Sequence, residues 1–197
     1  MTAQDKILYV ANKLGLTSLK DMQASTGAVY DCDSENSGQI FTSAARHVNP
    51  AVTNLTTNQF EVNEALLVET IGFYINDVEE SSGTVRNFQT TYGSNAVIVF
   101  DLIIGNKRTM VQTPVFGAGG PYTFANNAVD GPDGQVIPRH QVYLEGAGIL
   151  IPPQIQWSVE YRLFNVVTGA VIPFEAEANL GCYLFGTRVL LNFNTSI

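Results

Sequence analysis

Charge is scarce in this sequence. Charged side chains make up 14% of its 197 residues, where soluble domains average roughly a quarter. Hydrophobic residues, at 45%, suffice for a core. Together these values exclude a disordered chain, a coiled coil and a highly charged nucleic-acid wrapper. Long apolar runs are missing too. None approaches the roughly 18 residues of a membrane helix, so no membrane span is expected. Cysteine and histidine are nearly absent, at two each: Cys32 and Cys182, His47 and His140. Two cysteines exclude a disulfide scaffold and a four-cysteine zinc site, and two histidines exclude most histidine-built metal centres. No cofactor is expected.

Ten basic against eighteen acidic residues give a net charge of −8, unevenly spread. Residues 1–20 carry Lys6, Lys13 and Lys20 against Asp5, a balance of +2 that leaves −10 for the rest. A body this acidic repels phosphate backbones, so nucleic-acid contact is expected to be weak or absent. Asp5 and Lys6 precede only a short apolar stretch with no small-residue cleavage site, which does not read as a secretory signal. Synthesis and folding in a cytoplasm follow, with both cysteines as free thiols.

Residues 1–25 read as a helical arm. Ile7, Val10, Ala11 and Leu14 recur at three- and four-residue spacing, Thr2 suits the cap, and Gly15 suits the stop. Thr17 or Ser18 suits the start of a second short helix holding Leu19 and Met22. A helix-turn-helix reading fails, since the second helix carries only Lys20 and no basic residue follows until Arg46. The apolar side, Ile7, Val10, Leu14 and Leu19, is too small to form a core alone and must dock. A neighbouring subunit is the favoured partner. Lys6, Lys13 and Lys20 fall near one helix face, which is either solvated or turned toward anionic material.

Residues 26–50 read as an irregular linker, and residues 51–197 as one β-domain. The clearest strand is 154–164, where Ile155, Trp157, Val159, Tyr161 and Leu163 alternate with polar residues. Ala96–Ile104 is apolar throughout and reads as a central strand, joined by a Gly105-Asn106 hairpin to 107–116. Further candidates are 51–56, 65–76, 84–91, 140–151, 170–174 and 180–193, with a second hairpin at Thr168-Gly169. No crossover helices separate the strands, which excludes α/β folds. Eight to ten antiparallel strands behind one or two short N-terminal helices point to an all-β jelly-roll sandwich. An immunoglobulin-like sandwich takes only about 100 residues and fits less well.

No motif names a reaction. Gly117-Ala118-Gly119-Gly120-Pro121 lacks the helix start and lysine of a phosphate loop and reads as a turn. Asp31, Asp33 and Glu35 alternate ahead of Gly38, but Asn36 and Thr42 stand where a calcium loop needs glycine and glutamate. An acidic surface turn is the plainer reading, and it serves Asp130-Gly-Pro-Asp-Gly as well. No Gly-x-Ser-x-Gly elbow occurs, Cys182 falls inside a strand, and the histidines lack ligand spacing. No enzyme is expected. The Asn54 and Asn194 sequons read as chance matches.

A strand-rich body behind an N-terminal arm, with low charge and no catalytic motif, resembles the single jelly-roll capsid proteins of icosahedral viruses, bacterial ones included. The resemblance covers the whole chain as a pattern. It implies a virion shell protein that contacts copies of itself and other virion proteins, with the arm tying neighbours together. An arm of only +2 departs from the strongly basic arms of many such proteins. The competing class is a carbohydrate- or receptor-binding β-sandwich of fibre, decoration or adhesin type. Tyr122, Phe124, Asn126, Asn127, Asp130 and Asp133 then form a ligand patch of stacking rings and hydrogen-bonding groups.

Overall fold

The computed structural model describes residues 2–16, 22–33, 37–42, 52–77, 91–93, 95–115, 140–144, 148–174 and 178–191. Among them are a helix, α1 (Ala3–Leu14), and ten strands. The strands are β1 (Gln23–Cys32), β2 (Gln39–Ile40), β3 (Glu64–Asp77), β4 (Ala96–Ile104), β5 (Lys107–Val115), β6 (His140–Tyr143), β7 (Ile149–Ile151), β8 (Trp157–Asn165), β9 (Val171–Ile172) and β10 (Ala178–Leu190). Two antiparallel sheets pack as a sandwich. The first runs β1-β10-β3-β6 and the second β2-β8-β4-β5, with β7 added on β3 and β9 on β8. The main strands pair in nested fashion: β1 with β10, β2 with β8, β3 with β6, β4 with β5. A ribbon of nested pairs folded over so that its strands alternate between two sheets is a jelly roll.

The inner faces supply the core. Leu66, Val68, Ile71, Phe73, Leu180, Cys182 and Leu184 of the first sheet meet Ile98, Phe100, Leu102, Trp157, Val159, Tyr161 and Leu163 of the second. Phe73 and Phe100 touch across the gap with centroids 5.2 Å apart. Trp157 is buried between Phe41 and Phe60, at 4.4 and 5.9 Å. The alternation expected of 154–164 holds from Trp157 onward. Before it, Gln154 has φ 57°, so the ladder starts late and Ile155 stays 40% exposed.

The strand pattern begins at Gln23, not near residue 50. Residues 23–25, expected in the second helix, and part of 26–50, expected as linker, form β1 and β2. β1 is hard to read because it is an edge strand with small or polar residues on both faces, and Asp31 stands where a core residue is expected. Residues 52–56, expected as strand, are turns. Asn54 nevertheless covers the free edge of β1, accepting from the Tyr30 amide at 2.9 Å and donating to the Ala28 carbonyl at 2.8 Å. Over Ala28–Tyr30 the edge is thereby closed to further pairing. The expected strand 140–151 is two strands, β6 and β7. Their partner β3 carries a bulge at Glu69, where the register with β10 shifts between Phe185 and Gly186. The Leu144 amide turns in to the Glu69 carbonyl at 2.9 Å. Of the expected strand 84–91 only Thr91 is described, and it is helical rather than extended; the rest of that strand and the loop 117–138 lie outside the described residues.

Candidate functional site

α1 begins with a capping box, Thr2 and Asp5 bonding reciprocally, and ends at Gly15. Its docking site is its own body. Val10 and Ala11 are buried, Val10 within a second apolar cluster with Ala65, Leu67, Val189 and Leu191 on the outer face of the first sheet, and half-buried Leu14 packs against it. The reason is proximity: a few residues after α1 the chain enters β1, beside β10, whose outward aliphatics need cover. The favoured docking on a neighbour is therefore corrected for the described helix. Ile7 is half-buried. Lys6 does not face an anionic surface freely, since its Nζ pairs with Glu69 Oε1 at 2.5 Å and reaches Thr187 Oγ1 at 3.3 Å. Lys13 lies over the Tyr9 ring at 5.6 Å. Leu19 and Lys20 lie outside the described residues, as does the patch of Tyr122, Phe124, Asn126, Asn127, Asp130 and Asp133.

The expected acidic surface turn is overturned for Asp31 and Asp33, which are 2% and 1% exposed. Asp33 accepts from the Gly38 amide at 2.7 Å, the Tyr161 hydroxyl at 2.9 Å and Ser37 Oγ at 3.0 Å. Asp31 accepts from the Phe41 amide at 2.9 Å. These carboxyls hold the crossover that carries the chain from the first sheet to the second. Among the described residues no group of three or more His, Cys, Asp or Glu side chains is placed to hold a metal ion. Burial, then the charge of Asp33, pushes the Tyr161 phenol well above its ordinary range. Burial, then Asp31 and Cys32, raises the Cys182 thiol. A thiol held protonated in the core is not a nucleophile.

The outer face of the second sheet is charged but internally neutralised. Arg108 pairs with Asp101 and, at 3.2 Å, with Glu160. Asp101 Oδ1 also accepts at 2.5 Å from the amide of Gln112, where β5 bulges and φ is 46°. With Val99, Arg162 and Phe164 these residues line a shallow cleft of about 390 Å³. At one end of the same sheet the β8–β9 hairpin exposes three aliphatics: Val166 at 56%, Val167 at 72% and Val171 at 63%.

The first sheet has a second outer surface beside the one α1 covers, and it is aromatic. In register, Tyr183 of β10 faces Gly72 of β3, and Gly181 of β10 faces Tyr74 of β3. Each tyrosine ring occupies the space that a Cβ on the opposing glycine would take, so neither glycine admits a side chain without displacing a ring. The rings lie over the sheet with centroids 6.4 Å apart and planes 31° from parallel. Tyr30 and Gln141 continue the row on the flanking strands. Gln141 donates to the Tyr183 hydroxyl, and the Tyr143 hydroxyl donates to Gln141 Oε1 at 2.7 Å. Sequence reading passed over these tyrosines because it sought ligand residues in loops. The signal was present as two Gly-x-Tyr triplets, Gly72-Phe73-Tyr74 and Gly181-Cys182-Tyr183. Comparison with protein-family models, with curated proteins and with solved structures gives no match to this chain.

Proposed function

We propose that the protein is a structural subunit of a viral shell, acting through repeated contacts with copies of itself and with other virion proteins rather than through catalysis. The observation that carries this reading is the β8–β9 hairpin on the jelly-roll body. Val166, Val167 and Val171 sit on one hairpin at the end of the second sheet, 56–72% exposed. A fully buried valine contributes about 1.5–3 kcal/mol. One such hairpin makes a modest contact, and many of them around closed symmetry hold a shell. Contact with packaged nucleic acid is weak in this reading, because the acidic body repels phosphate. The protein is made in the host cytoplasm and resides in the virion.

Negative-stain microscopy and sedimentation of the purified chain test the proposal. Large regular particles or rings are expected, and replacing Val166 and Val167 together with serine should disperse them while leaving the far-ultraviolet spectrum unchanged. Dispersed 21.4 kDa subunits under all ionic conditions would sink the idea. A monomer or small trimer points instead to the carbohydrate- or receptor-binding class.

A further inference from the structure

We propose that the tyrosine face of the first sheet, beside α1, is a binding platform for the flat faces of neutral pyranose sugars. The reading does not depend on shell assembly. Two observations select a sugar. The first is ring geometry: Tyr74 and Tyr183 lie across the glycines of each other's strands rather than standing up from the sheet. An aromatic face turned outward stacks on the C–H-bearing face of a pyranose, because the negative π face attracts those weakly positive hydrogens. Around the rings, Gln141 and the hydroxyls of Tyr143 and Tyr183 form a neutral hydrogen-bonding rim already linked into one network. Tyr143 and Phe185 at the edge are 64% and 41% exposed. At the border with α1, Lys6 and Glu69 neutralise each other.

The second observation is size. The patch spans four strands and three outward rows, which at about 4.8 Å per strand and about 6.8 Å per two residues is roughly 400 Å². A stable protein partner needs about 800 Å² per side. The face is therefore about half of what a subunit interface alone would need, and suits a short oligosaccharide. The charged face of the second sheet has no equivalent stacking pair among the described residues.

Saturation-transfer NMR and calorimetry on the full chain, with cellohexaose, chitohexaose and maltohexaose as probes, test the platform. Binding of at least one probe at millimolar concentration or below is expected. Tyr183→Ala should weaken it by about tenfold, which is 1.4 kcal/mol. Tyr143→Ala, at an exposed position that cannot disturb the core, should weaken it several-fold and guards against a misfolded Tyr183 variant. Absence of transfer to all three probes overturns the proposal. So does binding that survives both substitutions. If the substitutions instead change the sedimentation coefficient without any sugar binding, the face serves a second copy and the sugar reading falls.

Discussion

Replacing Asp33 with alanine should come close to unfolding the protein, whereas asparagine at the same position should be tolerated. Asp33 is 1% exposed and accepts from Gly38, Ser37 and Tyr161. Truncation to alanine leaves the Gly38 amide and the Tyr161 hydroxyl without this acceptor in a site that water does not reach. A hydrogen bond to a charged group contributes about 1.5–3 kcal/mol, and each stranded buried donor costs about 1–3 kcal/mol. The bonds share one carboxyl group and are not additive, so a loss of about 3–5 kcal/mol is expected, a large share of the 5–15 kcal/mol available to a domain. Asparagine keeps one oxygen for Gly38 and Tyr161 and turns its NH2 toward Ser37 Oγ, which accepts. Its cost should stay near 1–2 kcal/mol. Tyr161→Phe should cost about 1 kcal/mol alone and nearly nothing on the alanine background, since the two residues form one network. Urea denaturation followed by circular dichroism measures all of these. Equal effects of alanine and asparagine would refute the reasoning, because the crossover would then be held by packing rather than by this carboxyl.

Removing residues 1–16 should leave the jelly roll folded but weakened by about 3–5 kcal/mol, since the deletion uncovers Ala65, Leu67, Val189 and Leu191. Denaturation midpoints and light scattering read the loss and the stickiness that follows, and a truncated chain as stable as the whole would show that α1 is not part of the fold. Stability should also fall in alkali. The folded state raises the phenols of Tyr74 and Tyr161 above 10.0 and the thiol of Cys182 above 9.0. Their contribution is thus fully present below those ordinary values and is lost as pH rises beyond them. A melting temperature flat to about pH 8.5 and declining by pH 11 is expected, and one unchanged at pH 11 would contradict it.

The sequence was most legible where one physical rule acted alone. β4 and its hairpin into β5 were readable residue by residue, because an apolar run ends at Gly105-Asn106. The inward set Trp157, Val159, Tyr161 and Leu163 follows from period-two alternation. Reading failed where side chains replaced backbone pairing. β1 is held by β10 on one side and by the Asn54 side chain on the other, and neither leaves an apolar pattern. Asp31 and Asp33 looked like surface acids because burial of a carboxyl depends on donors that arrive from Phe41, Gly38 and Tyr161, up to 128 residues away in sequence. The tyrosine face was missed for a related reason. A Gly-x-Tyr triplet means little by itself, and gains meaning only when antiparallel pairing sets a second one against it.

The placement of carboxyls also bears on the proposed contacts of this surface. Of the three non-glycine residues with left-handed backbone among the described residues, two, Phe41 at φ 60° and Gln112 at φ 46°, have their amide held by a buried aspartate, Asp31 and Asp101. Such backbone costs of order 1–3 kcal/mol, and a hydrogen bond to a charged acceptor offsets it. Asp31, Asp33 and Asp101 thus serve the chain's own amides at a crossover and at a bulged edge strand, and Glu69 and Glu160 are paired with Lys6 and Arg108. In a sequence with 14% charged residues, using acids this way leaves the tyrosine face and the valine hairpin uncharged. Burying an unpaired charge at an interface costs several kcal/mol before any contact is made, whereas uncharged aromatic and aliphatic groups carry no such penalty. Placing Lys at Val167 should therefore disrupt association more than serine there, by the added desolvation of the ammonium group. If Val167→Lys and Val167→Ser act alike in sedimentation, the hairpin tip is not at a subunit contact and the reasoning fails.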